Sequence, residues 1–150
     1  MAYDEGMMQK AIDLAREAAS RDEVPIGAVL VKNGRMIACA ANEKEQRSDA
    51  CAHAEMLVLQ RAAEVIGNWY LEDCELYCTL EPCPMCAGAM INSRISKLYF
   101  GAFDQRFGCA GSRINLLDGE MFNHTVEVYG GCMAEICSQL LSDFFKKKRK

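Results

Sequence analysis

The stretch Thr79-Leu80-Glu81-Pro82-Cys83-Pro84-Met85-Cys86-Ala87-Gly88 decides how this chain is read, and it completes a pattern opened upstream by His53-Ala54-Glu55. The apolar run Glu75 to Leu80 reads as a strand that enters it directly. Pro84 suits a first helical position, where a missing N–H costs nothing. Cys83 then falls at the cap, and Cys86, three residues on, lies on the same helix face. The free N–H groups and positive dipole end of that helix lower thiol pKa, and the thiolate is the form that binds a metal. His53 and Glu55 would diverge on a helix body, but at a helix beginning near Ala52 both reach an ion just beyond its N-terminus. The pattern predicts two helix starts aimed at one metal.

His53, Cys83 and Cys86 supply three ligands, and a catalytic zinc keeps its fourth tetrahedral position for water whereas a structural zinc closes it. One Zn2+ per subunit is therefore expected, with Glu55 left free for proton transfer. Bound zinc brings the pKa of its water down to about 7, where a neighbouring carboxylate can take the proton and deliver it elsewhere. A lone Cys-x-x-Cys is open to redox or structural-zinc readings. Joined to His-x-Glu, the Pro-Cys-x-x-Cys run is the signature of zinc-dependent nucleobase deaminases. Closure of the fourth position by Cys51, two before His53, or by another group would instead make a non-catalytic zinc-binding interaction module.

Working outward, 150 residues at 51% hydrophobic fit one globular domain over 1–150 with a real core and leave no room for a separate binding domain. Neither a secretory signal nor a membrane-length apolar run is evident, so an intracellular, cytoplasmic protein with reduced thiols is expected, and no membrane partner. Of the nine cysteines, Cys39, Cys74, Cys78, Cys109, Cys132 and Cys137 read as small core residues. A net charge of -4 argues against a large phosphate footprint. The tail 146–150, Lys146-Lys147-Lys148-Arg149-Lys150, reverses that sign locally, and Lys148 and Arg149 are candidate contacts to RNA phosphates, against a solvated, frayed terminus.

In chain order, Asp4 caps a helix through about Ala19, and Ile26 to Lys32 and Arg35 to Ala41 form a hairpin turned at Asn33-Gly34. A second helix runs Ala52 to Ile66 and stops at Gly67. Trp69 and Tyr70 are expected to cover the core. The metal helix ends near Ser93, Lys97 to Ala102 is a fourth strand, Thr125 to Tyr129 a fifth, and Met133 to Phe145 a last helix. The alternation of strand and helix predicts a mixed or parallel sheet covered on both faces. The polar loop Asp104 to Ser112 follows a strand end, where α/β folds gather ligand contacts. His124 reads as a structural hydrogen-bonder, and Asn42 by turn chemistry as a turn residue.

Beyond its metal motifs the chain resembles bacterial tRNA-specific adenosine deaminases of the TadA type, in the cytidine deaminase superfamily. The matching stretches are Glu23 to Val31, His53 to Met56, Thr79 to Met90, Phe100-Gly101-Ala102, Phe122-Asn123-His124 and Leu140 to Phe145. The resemblance implies a cytidine-deaminase-like three-layer α/β/α sandwich around a five-stranded mixed sheet, a homodimer, and hydrolytic deamination of adenosine to inosine at the wobble position (34) of a tRNA anticodon stem-loop. It further implies nucleotide contacts from Asn42, Asp104, Arg106 and Asn123, an Ala54 N–H aimed at the developing oxyanion, and Phe145 with the tail beside the anticodon loop. Glu43 and Glu45 depart from the more basic loop of relatives and count against RNA contacts there. A deaminase of a free base or nucleoside, built on the same motifs, is the nearer rival.

Overall fold

The structure, a computed structural model, describes residues 3–149; Lys150, the end of the basic tail, lies outside the described residues, as do Met1 and Ala2. Asp4 caps α1 (Glu5–Ser20), its Oδ1 accepting from the Met7 N–H at 3.2 Å, and Met8, Ala11, Ile12 and Ala15 make the buried stripe of an amphipathic helix. β1 (Gly27–Lys32) and β2 (Arg35–Ala41) pair antiparallel. Asn33 and Gly34 turn between them at φ 53° and 75°, the positive dihedrals a two-residue hairpin turn requires. α2 (Ala54–Ile66), β3 (Cys74–Leu80), α3 (Pro84–Ser93), β4 (Lys97–Ala102), β5 (Glu127–Tyr129) and α4 (Ala134–Lys148) follow.

The sheet order is β2-β1-β3-β4-β5, with β1 antiparallel to β3 and β3, β4 and β5 mutually parallel. Alternate residues of the central strands face opposite helix layers. Leu30, Leu76, Leu98 and Phe100 pack on Val58 of α2 and Met90 of α3, while Val29, Tyr77 and Tyr99 pack on Met8 and Ile12 of α1 and Cys137 of α4. Burial on both faces explains why these strands read as unbroken apolar runs. Tyr77, Tyr99 and Tyr129 stack in series, centroids 4.6 and 5.2 Å apart.

This topology decides where chemistry collects. The pairs Gly27↔Ala41 and Ala28↔Cys78 bring the end of β2 and the end of β3 to one edge, and Leu80↔Ala102 adds the end of β4. α3 leaves β3 at that edge, and strand carboxyl ends are where open α/β sheets bind ligands. Gly27 is needed for α1 to sit this close: a Cβ there would lie 2.0 Å from the Ala11 carbonyl oxygen.

Five expectations are corrected. α2 begins at Ala54 with His53 as its cap, because Ala52 is still in the preceding turn, its N–H on Asp49 O at 3.1 Å and its carbonyl accepting from Glu43. The fifth strand is only Glu127–Tyr129, since the Val126 N–H bonds Leu117 O outside the sheet. α4 starts at Ala134 and continues through Lys148, because three lysines in the last turn suit the negative end of the helix dipole and Lys148 Nζ meets Asp22 Oδ2 at 2.6 Å. Trp69 and Tyr70 do not cover the core; Trp69 is 64% exposed and the two rings meet edge to face. Of the cysteines read as core residues, Cys39 is only half-buried, while Cys74, Cys78, Cys109, Cys132 and Cys137 are buried.

The loop after β2 is braced by charge. Glu43 accepts from Arg47 Nε at 2.7 Å and from Arg61 Nη2 at 3.0 Å, and Arg61 Nη1 donates to Cys39 O. The acid that seemed to oppose RNA is thus matched by two cations. Burial alone would raise the Glu43 carboxyl, but these two arginines outweigh it and hold it below 4.5. A depressed folded value means the stabilisation is complete above the unfolded pKa near 4.5 and is lost as pH falls through the folded one. Carbon-detected NMR is expected to show the Glu43 midpoint below 4.5, moving upward in Arg61→Ala; a midpoint at or above 4.5 would remove the brace.

Candidate metal centre and active site

Two helix starts meet at the sheet edge. Cys83 caps α3 with Pro84 at its first position, as the sequence predicts, and Cys86 lies one turn in with its side chain fully buried. His53 caps α2. Its Nδ1 stands 3.7 Å from Cys83 Sγ and 3.5 Å from Cys86 Sγ. A tetrahedral zinc with ordinary bond lengths of about 2.0 Å to nitrogen and 2.3 Å to sulfur places those ligand atoms roughly 3.5 Å apart. The triplet fits that ion, and it is the one group of three such side chains close enough to hold a metal among the described residues.

Electrostatics favour a thiolate at Cys83. The Cys83 thiol is pulled down to about 4 by a hydrogen bond from Cys86, with burial opposing and His53 adding to the pull. Cys86, which gives that bond and is buried, moves the opposite way. His53 is raised by its contact with Cys83. Glu55, on the first turn of α2, is 2% exposed, and its Oε1 has no hydrogen-bond partner. Burial pushes this carboxyl up to about 7, near neutrality, where one group can both accept and release a proton.

A cavity of about 320 Å³ opens over the triplet, lined by His53, Glu55 and Cys83 together with Val24, Ile26, Asn42, Lys44, Leu80, Glu81, Asp104 and Phe107. Asn42 is buried, and its Oδ1 accepts from the Ala54 N–H at 2.8 Å, capping α2 from outside. That bond corrects two readings: Asn42 is no ordinary turn residue, and the Ala54 N–H is engaged rather than free for an oxyanion. Asp104 reaches the cavity while its Oδ1 accepts from the Arg106 and Phe107 N–H groups. Arg106 and Phe145 line an adjoining cleft that shares Val24, Leu80, Asp104 and Phe107 with the first.

Other expected residues fall elsewhere. Asn123 is exposed and its carbonyl accepts from Arg94 at the far end of α3, about 15 Å of helix away from the ligands in the same chain. Lys148 is paired with Asp22, and Arg149 is the exposed cap of α4. Cys51 is exposed and outside the metal triplet; its N–H donates to Asp49 Oδ1. His124 bonds Ile95 O at 2.7 Å, as a structural imidazole should. The sequence reading missed Lys44, Phe107, Glu23 and Glu81. Only Glu81 carried a signal, being a carboxylate set in an otherwise largely apolar stretch.

A His/Cys/Cys triplet on two helix caps, with a buried glutamate beside it at the carboxyl edge of a five-stranded α/β/α sheet, defines a deaminase of the cytidine-deaminase-like fold. The chain matches the MafB19-like deaminase family over residues 3–149. It is 52% identical over 150 residues to the tRNA-specific adenosine deaminase of Bacillus subtilis (strain 168), covering 100% of this chain and 93% of that protein, and it belongs to the tRNA-specific adenosine deaminase family. A solved structure from work on A-to-I editing by tRNA:A34 deaminases at the wobble position superposes at a TM-score of 0.89, 40% identical, covering 92% of this chain and 100% of that one. The guanine deaminase of Nitrosomonas europaea shares the fold at a TM-score of 0.82 and 25% identity, over 96% of this chain and 85% of that one.

Proposed function

We propose that this enzyme hydrolyses adenosine to inosine at the wobble position (34) of a tRNA anticodon, with one zinc ion per chain. The observation that carries the reading is Glu55, buried with an unpartnered oxygen on the wall of the cavity that His53 and Cys83 of the metal-ligating triplet also line. His53, Cys83 and Cys86 would hold the zinc, which when bound would supply a water acidified to near neutrality. Glu55 takes a proton from the attacking water and passes it to adenine N1 as the C6–O bond forms. It then carries the second water proton to the amino group, the C6–N bond breaks, and ammonia leaves. Asn42 holds the start of α2, and with it Glu55, in place through the Ala54 N–H.

The base must be unstacked to enter, which costs least in a single-stranded anticodon loop. The adjoining cleft offers Phe103, Phe107 and Phe145 for flanking bases and Arg106 for phosphate. Phe103 and Phe107 are more than half exposed, as stacking surfaces should be. An RNA substrate sets the work among the translation machinery of the cytoplasm, and no helix among the described residues is long and apolar enough to cross a membrane. A homodimer is supported by an apolar groove on α2 and α3 lined by Met56, Leu59, Ala63 and Trp69.

The test is mass spectrometry of zinc-loaded protein incubated with an anticodon stem-loop carrying adenosine at the wobble position, beside free adenosine, guanine and cytidine. A gain of about one dalton on the stem-loop alone is expected, from protein sedimenting at twice the chain mass of 16.7 kDa. Turnover of guanine instead would overturn the substrate, and a monomer would overturn the pairing.

A further inference from the structure

We infer that Glu81 is a positioning residue: its buried carboxylate pins loop 104–112 to the segment that delivers the metal ligands, and so sets the wall against which the nucleotide is bound. This rests on the function proposed above. Glu81 is 1% exposed. Its Oε1 accepts from the Asp104 N–H at 2.9 Å and from the Ser112 hydroxyl, and its Oε2 accepts from the N–H groups of Ala110 at 3.1 Å and Ser112 at 2.9 Å. Four donors from one loop thus converge on two oxygens, two residues before Cys83. The loop passes the constraint on: Asp104, held through its own N–H, orders Arg106 and Phe107 with its side chain, and Asp104 and Phe107 face the cavity. Gly108 seals the contact from the other side, where a Cβ would stand 2.5 Å from the Glu81 carboxyl carbon.

The geometry separates this role from plain packing. Every partner of the carboxylate is a donor, so only an acceptor on both oxygens satisfies the loop. Glutamine has nearly the same volume, yet it turns an amide N–H toward at least one of those donors and leaves it buried without a partner. Glu23 repeats the device on the opposite rim. It is 1% exposed and accepts from the Glu45 and Gln46 N–H groups at 3.0 and 2.7 Å, beside Lys44. Both rims are therefore built in advance of substrate, each from a carboxylate distant in sequence.

Glu81→Gln and Gly108→Ala attack one contact from its two sides and are measured with the anticodon stem-loop. Both are expected to raise KM by about tenfold or more while kcat changes less than about threefold and zinc stays at one per chain, since the ligands and Glu55 are untouched. Hydrogen exchange at the Asp104, Ala110 and Ser112 amides is expected to accelerate by about ten- to a hundredfold in Glu81→Gln, with α2 and α3 unaffected. A fall in kcat or zinc content with KM unmoved would reduce Glu81 to a scaffold residue and overturn the inference. Should the unmutated protein leave the stem-loop unchanged, the proposed function falls by itself; exchange still decides the rim, and unaltered protection of those three amides in Glu81→Gln overturns it.

Discussion

Glu55→Gln is expected to lower kcat on the anticodon stem-loop by about 10³-fold or more, while zinc content stays at one per chain and KM changes little. General acid–base groups contribute about 10² to 10⁴-fold, and in the proposed mechanism Glu55 moves both protons, so the upper half of that range applies. Among the described residues no other carboxylate lining the cavity is placed to take over: Glu81 is saturated by donors from loop 104–112, and Asp104 is turned onto its own loop. The same substitution should leave the protein at least as resistant to heat, because it removes a buried carboxyl whose Oε1 has no partner. Loss of activity with retained stability and retained metal isolates the proton-transfer role. Activity within tenfold of the original would assign proton transfer to another group.

Cys86→Ala should release the metal. A three-ligand site that loses one thiolate keeps only His53 and Cys83, too few for tight zinc binding at a catalytic position. Elemental analysis after dialysis is expected to find less than about a tenth of one zinc per chain, and turnover should fall by more than about 10³-fold because the water loses its acidifying ion. Cys51→Ala is the matched control: an exposed thiol outside the triplet should alter neither zinc content nor rate. If Cys51→Ala also stripped the metal, the shell would be closed by a fourth protein ligand, and the non-catalytic zinc reading would return.

The elements that carry the chemistry were legible because their signals are local. Pro84 after Cys83 and the helical spacing to Cys86 are properties of a few consecutive residues, and the structure places them as read; His53 and Glu55 do stand at a helix start, but that start is two residues later than the sequence suggests, with His53 as the cap. The hairpin at Asn33-Gly34 was legible for the same reason, since two positive φ angles belong to the turn itself. Errors came where distant partners decide. Thr125 and Val126 look like strand, but the Val126 N–H bonds Leu117 O and Thr125 lies against Gly119, and the lysines after Phe145, read as RNA contacts or a frayed end, extend and close α4, one of them on Asp22. Asn123, next to a histidine in a matching stretch, proved to lie at the wrong end of α3 for the site in its own chain.

By itself, then, the sequence determined His53, Cys83 and Cys86 as the candidate metal ligands, Glu55 as the candidate acid–base group, the start of α3 and the alternating strand and helix order, because spacing, capping and turn preference act over a handful of residues. The tertiary structure alone decided that Asn42 caps α2 from twelve residues away and that Glu23 and Glu81 hold the two rims of the cavity from more than twenty. It also joined Asp104, Arg106 and Phe145 in one cleft. The physical reason is that a buried carboxylate finds its donors only after the sheet has brought separate loops to one edge, and sequence spacing carries no record of that meeting.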